Sequence, residues 1–285
     1  AQAKGPSPVK LSLWRNGLLL VMGIAHALIW TGDVLTVYAL CAPLLLLLRN
    51  RSWKFLITCG VAIFSLAMIQ EALLGVYTTD DALRAVWREE LNTPEIELLA
   101  LSYVSDAFIR ALGMMMVGMG LYRHGFLMNP NVTSKVLRAA KAALAAGIII
   151  SGSSLAWVMS QGFTGPAIRL GNLPNSFITI PMTLSYLVFF IQWDQQSTGE
   201  LVRRVRSLGQ MALTNYIGQT LVGLSLAAAV PSEWISRTTI WLSILVLLGA
   251  QLYLSAAWLK KYRFGPLEWL WRCATYRRWE KLHRA

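Results

Sequence analysis

The feature that most constrains this chain is a series of long, nearly uncharged apolar runs. Eight extend from about Leu13 to Trp30, Val34 to Leu48, Lys54 to Tyr77, Leu99 to Tyr122, Val136 to Ser160, Phe177 to Trp193, Leu208 to Val230 and Thr238 to Leu259. They are apolar all round rather than striped, and about 20 such residues cross the hydrocarbon core of a bilayer. A backbone in lipid must satisfy its own hydrogen bonds, which leaves helices or a closed barrel, and a barrel would show alternating segments of about ten residues. The expected fold is therefore all-α, a polytopic membrane helix bundle of about eight transmembrane helices over residues 1–259. Residues 260–285 follow as a basic, tryptophan-rich amphipathic tail. With 55% hydrophobic and only 14% charged residues, an ordinary soluble domain is excluded.

The net charge of +12 is explained by where the bases lie. If the N-terminus is cytoplasmic, every Lys and Arg falls in a cytoplasmic segment except Arg84, Arg88, Arg169, Arg237 and the intramembrane Arg110. That is the positive-inside rule, with both termini cytoplasmic in a bacterial plasma (inner) membrane. No nucleic-acid partner is expected. Attraction of the basic tail to anionic headgroups makes membrane lipid the expected partner there, with Trp269, Trp271 and Trp279 as anchors. In that tail Pro266 suits a helix start, and Glu268 and Arg272 form an i, i+4 pair.

Two connections stand out. "TTDDALRAVWREELNTPEIE" carries six acids and two bases, and Leu83, Val86, Trp87 and Leu91 recur at helical spacing, as in an interfacial helix or lid. Thr93 and Pro94 then signal a helix start. "QGFTGPAIRLGNLPNS" is dense in glycine and proline and is expected to be irregular. Cys41, Cys59 and Cys273 have neither metal-ligand nor disulfide-framework spacing and read as packing residues. No metal site and no permanently bound cofactor are expected.

Polar residues inside the runs are the candidate site. "GIAHALIWTGDVLTVYAL" places His26, Trp30 and Asp33 at i, i+4 and i+7, one face if the helix continues. A carboxylate can orient an imidazole as a general base, so His26 and Asp33 are the catalytic candidates. Glu71, Asp106 and Arg110 fall in the same outer half of the bundle, and a charge in lipid costs at least ~2.5 kcal/mol unless it faces protein or a wet cavity. A polar outer cavity is expected, with Trp30, Glu71, Asp106 and Arg110 against a small-molecule substrate. The alternative is that these residues pair to fix helix packing, with Asp106 and Arg110 neutralising each other and Asp33 merely capping the second span. Asn215, Gln219 and Gln251 form a second polar group, either holding helices together or lining a path inward for a substrate.

Three stretches, "GIAHALIWTGDVLTVYAL", "GQMALTNYIGQT" and "FGPLEWLWRCATY", carry a resemblance. With the order of the spans, they are similar to the YeiB-like family of bacterial inner-membrane proteins, catalogued as domain of unknown function 418. Family members begin with further helices bearing a pattern like "LDxLRGxAxxG", so this chain, which opens on "AQAKGPSPVK", is expected to be the C-terminal two-thirds or so of such a protein, partnered by those helices. The family in turn resembles membrane acyltransferases of the heparan glucosaminide acetyltransferase type. That likeness implies acyl transfer from cytoplasmic acyl-CoA, as donor substrate, to an extracytoplasmic acceptor, although the histidine credited with catalysis there lies in the missing N-terminal region. Two other readings stay open: a transporter or channel for a small polar or anionic solute, and a non-catalytic membrane scaffold.

Overall fold

A computed structural model describes residues 7–77, 79–87, 93–128, 130–231 and 234–284. Of the described residues 82% are helical, and none lies in a strand. Among the described residues eleven helices follow in order: α1 (Pro8–Ala27), α2 (Leu35–Leu47), α3 (Trp53–Tyr77), α4 (Asp80–Trp87), α5 (Pro94–His124), α6 (Ser134–Ser160), α7 (Gly165–Gln196), α8 (Glu200–Gln210), α9 (Ala212–Ala229), α10 (Arg237–Lys261) and α11 (Pro266–Tyr276). Each of the eight apolar runs is helical. Among the described residues five helices, α3, α5, α6, α7 and α10, are long and apolar enough to cross a membrane, and α2 is a shorter apolar helix. Large apolar side chains stand exposed along their length, among them Leu47, Ile149, Phe177 and Val246. Surfaces of that kind require lipid or protein cover, and the chain is an integral membrane protein.

The helices group into two compact units, Ala1–Ala39 with Gln196–Ala285, and Leu40–Gln195. In the second unit α3 and α5 run antiparallel at close range. Gly60 and Gly113 make this possible: a Cβ on either would lie 2.7 Å from the other's carbonyl oxygen. Small residues at such seams let helix backbones approach in lipid, where apolar burial gives little drive to associate. Leu56, Phe64, Ala67, Met116 and Val117 fill the buried seam.

Between α3 and α5 the expected surface helix forms as α4, and Asp80 in its first turn accepts the backbone N–H of Gly165 at the head of α7. Leu91, and the side chains of Leu83 and Trp87, lie outside the described residues. Thr93 caps α5, accepting from Ile96 N at 3.4 Å, with Pro94 at the first helical position.

The Gly/Pro-rich segment is not irregular. From Gly165 onward it is the first three turns of α7, which carries Pro174 and Pro181 inside it. Packing overrides local propensity here. Gly171 has no Cβ where one would strike Val158 and Trp157, and its carbonyl accepts the Ser154 hydroxyl of α6.

In the first unit, the run expected from Leu208 divides at Met211 into α8 and α9. The tail helix α11 is docked on protein. Trp14 Nε1 donates to Ala274 O at 3.0 Å and Trp271 Nε1 to Arg15 O at 3.4 Å, while Trp269 Nε1 donates to Glu280 O at 2.8 Å. Only Trp279 of the three expected anchors is strongly exposed. Nor do Glu268 and Arg272 pair: Glu268 accepts from Thr214 N at 3.0 Å and from the Thr214 hydroxyl, and Arg272 lies over Phe264 and Tyr276. Two donors at the head of α9 hold a carboxylate better than one exposed i, i+4 partner.

Candidate functional site

The polar residues of the apolar runs collect into two networks, one in each unit. In the first unit α1 ends at Ala27, before Trp30. Ile29 N and Trp30 N both bond to His26 O, closing a turn, and Gly32 packs directly against the Trp30 ring. His26 and Asp33 therefore meet because the chain folds back, not because a helix face continues. Asp33 Oδ1 lies 2.8 Å from His26 Nδ1, and both side chains are only 2% exposed.

Asp33 is held from several sides. Its Oδ2 accepts Thr36 N at 2.8 Å, and its Oδ1 accepts the Tyr216 hydroxyl at 3.3 Å. Burial opposes ionisation of this carboxyl, but the hydrogen bonds from Thr36 and His26 outweigh it and hold Asp33 below its ordinary value.

The other ring nitrogen, His26 Nε2, lies 2.9 Å from Thr220 Oγ1 on α9. A carboxylate only accepts, so Nδ1 carries hydrogen, and in the neutral ring Nε2 is the acceptor for the threonine hydroxyl. Acid, imidazole and hydroxyl thus stand in line, the arrangement that activates a hydroxyl by removing its proton. Thr220 borders a cavity of about 300 Å³ together with Trp30, Tyr216 and Gln219. The Trp30 ring meets the His26 ring edge-on, their centroids 6.0 Å apart.

The amides occupy the neighbouring face of α9. Asn215 Nδ2 donates to Ser255 Oγ at 3.1 Å, Gln219 Nε2 to Gln251 Oε1 at 2.8 Å, and Gln251 Nε2 to Asn215 O at 3.0 Å. They tie α9 to α10, and Gln219 also borders the cavity.

In the second unit Arg110 gathers two carboxylates. Its Nε lies 2.8 Å from Asp106 Oδ2 and its Nη2 2.6 Å from Glu71 Oε2, while Nη1 donates to Ser176 Oγ at 3.0 Å. Asn172 Nδ2 donates to Glu71 Oε1 at 2.6 Å. The expected i, i+4 pair is therefore one side of a wider network joining α3, α5 and α7. Glu71 and Asp106 border a cavity of about 500 Å³. Among the described residues no group of three His, Cys, Asp or Glu side chains could hold a metal ion.

Sequence reasoning passed over Tyr216, Thr220 and Arg169. Tyr216 and Thr220 share one helical face, but a threonine in an apolar helix usually bonds its own backbone, so the residue type carries no signal. Arg169 lies in the Gly/Pro-rich segment, whose local signals indicate an irregular connection, and it is buried at 7% exposure.

These features define a class: an all-α integral membrane protein with buried polar networks inside its helix packing. Within that class the chain belongs to the DUF418 family, "Protein of unknown function (DUF418)", whose family model matches residues 121–278. It is 28% identical to the uncharacterized protein YeiB of Escherichia coli (strain K12) over 92% of this chain and 75% of that protein. To the uncharacterized protein YxaH of Bacillus subtilis (strain 168) it is 26% identical, over 99% of this chain and 76% of that one. A third relative, the uncharacterized 39.9 kDa protein in the amylase 3' region of Bacillus acidopullulyticus, is 45% identical over 27% of this chain and 23% of its own length. No solved structure matches the chain.

Proposed function

We propose that this protein transfers an acyl group from a cytoplasmic acyl-CoA to a hydroxyl or amine acceptor on the far side of a bacterial plasma membrane, with His26 as base and Asp33 as its orienting acid. The observation that carries this reading is His26 bridging Asp33 and the Thr220 hydroxyl at a cavity wall. Thr220 Oγ1 marks a hydroxyl position within reach of Nε2. An acceptor hydroxyl arriving there gives its proton to Nε2 as its oxygen bonds to the thioester carbonyl carbon. The carbon–sulfur bond then breaks, and the departing thiolate takes the proton from the imidazolium. Asp33 fixes the ring and stabilises the imidazolium between the two transfers. Gln219 borders the same cavity, and in this reading it meets the donor arm. The positive-inside charge pattern supports cytoplasmic termini and a multi-pass topology.

A second reading has its own support in the network of Glu71, Asp106 and Arg110. Ionisable groups held inside a membrane bundle also serve as proton or solute relays, and this arrangement suits a transporter of a small polar or anionic solute.

Thermal unfolding of the detergent-solubilised full chain with saturating acetyl-CoA separates the two, with desulfo-CoA and adenine nucleotide as controls. A ligand at a hundredfold excess over its Kd stabilises by ~2.7 kcal/mol. Stabilisation by acetyl-CoA, with slow release of free thiol that is lost in His26→Gln, supports the transferase. No stabilisation by any of these ligands overturns it, and uptake of solute into proteoliposomes is then the measurement for the transporter.

A further inference from the structure

Arg169 belongs to neither network. It stands in the second turn of α7 with only 7% of its surface exposed, yet its Nε and Nη2 have no hydrogen-bond partner. The Tyr103 ring lies 4.7 Å from the guanidinium carbon. A guanidinium is always charged, and burying it without an acceptor is costly, so a position of this kind calls for an anion.

The surroundings say where the anion sits. Arg169 and Tyr103 both line the cavity of about 500 Å³ in this unit. Asn175 lines it too, with its side-chain Oδ1 buried and unpartnered and its Nδ2 in a long 3.5 Å contact with Ser154 Oγ, and a half-turn of that amide presents N–H groups instead. The carboxylates in the same wall are already committed. Glu71 is bound by Arg110, Ser176 and Asn172, and Asp106 by Arg110.

We infer that this cavity binds a singly charged amphiphilic oxyanion, its carboxylate or phosphodiester head on Arg169 and its apolar portion against Leu155, Val158, Phe163 and Ile168. Single charge follows from Glu71 and Asp106, which share the wall and repel a dianion. An apolar body follows from the four large hydrocarbon side chains facing the same space. The site lies wholly within one helical unit and stands whether or not His26 catalyses acyl transfer.

The test is calorimetric titration of the full chain in uncharged detergent with four probes: decanoate, dihexanoyl phosphatidylglycerol, acetate and uncharged decanamide. Saturable binding of decanoate or of the phosphatidylglycerol, with decanamide silent, supports the site, and the stronger of the two names a fatty-acid or phospholipid source. Arg169→Gln should weaken that binding about tenfold or more, the scale of a charge-assisted contact. Should Arg169→Gln fail to fold, Leu155→Trp serves in its place. Leu155 is 54% exposed, so a larger ring there fills the cavity mouth without burying a new polar group, and it should abolish binding. Absence of binding by both charged amphiphiles, binding of decanamide as tight as decanoate, or undiminished binding in a folded Arg169→Gln or Leu155→Trp protein overturns the inference.

Discussion

Asp33 and His26 meet at 2.8 Å across a turn that begins where α1 ends, and each is almost wholly removed from solvent. The carboxylate therefore has a structural duty to the α1–α2 turn as well as any chemical one. Asp33→Asn keeps the shape but replaces an ionised acceptor of several hydrogen bonds, and should cost about 2 kcal/mol. Thermal unfolding in detergent measures the loss, and a change near zero would contradict the hydrogen-bond pattern.

The same residue gives a pH dependence with a definite sign. Its carboxyl is held below the ordinary value in the folded protein, because the bonds from Thr36 and His26 outweigh burial. Its contribution is complete above the pKa of the unfolded chain and is lost as pH falls through the lower folded-state value. Stability should therefore fall on the acid side, and Asp33→Asn should flatten that limb.

Gly113 faces the backbone of α3 with no room for a methyl group, a Cβ there lying 2.7 Å from Gly60 O and 2.9 Å from Phe64 N. Gly113→Ala must push two backbones apart, and overpacking of this kind costs about 1–3 kcal/mol. Gly118, on the same helix with open space around it, is the control. Gly118→Ala should be neutral or slightly stabilising in the same unfolding assay.

Glu71→Ala removes the acceptor shared by Arg110, Ser176 and Asn172. With Asp106 still present, Arg110 retains one carboxylate, so the expected loss is about 2 kcal/mol rather than collapse. The double variant Glu71→Ala with Asp106→Ala should lose more than the sum of the two, because it strands the guanidinium.

Glu268→Ala should free α11 from the head of α9. Thr214 N and its hydroxyl would lose their shared acceptor, at about 1–2 kcal/mol. Limited proteolysis reads this directly: cleavage after Arg272 or Arg277 should accelerate while the apolar helices stay protected.

What the sequence made legible follows what lipid demands of it. The eight runs are all helical because an apolar run of that length has few other outcomes, and Thr93 with Pro94 started a helix as their chemistry requires. Asp106 with Arg110 was legible for the same reason, since i, i+4 neighbours need no tertiary information. Contacts between distant segments were not. Nothing within "GQMALTNYIGQT" shows that Thr220 approaches a histidine 194 residues earlier. The segment holding Arg169 misled because glycine and proline are local signals, whereas Gly171 is there to let α7 close on α6. Glu268 was assigned the nearest base in sequence, but Thr214, arriving from another helix, offered it two donors.

The two polar edges of α9 have a mechanical consequence. Asn215 and Gln219 engage α10, while Tyr216 and Thr220, one residue on, engage Asp33 and His26. One residue is about 100° of helix rotation, so α9 works as a keyed shaft with two slots, and it cannot turn in either slot without leaving the other. A substitution such as Gln251→Leu on α10, where the amide bonds Gln219 and Asn215 O rather than His26 or Asp33, loosens one slot and lets the shaft slip. The alignment of the histidine is thereby set from the neighbouring face of α9.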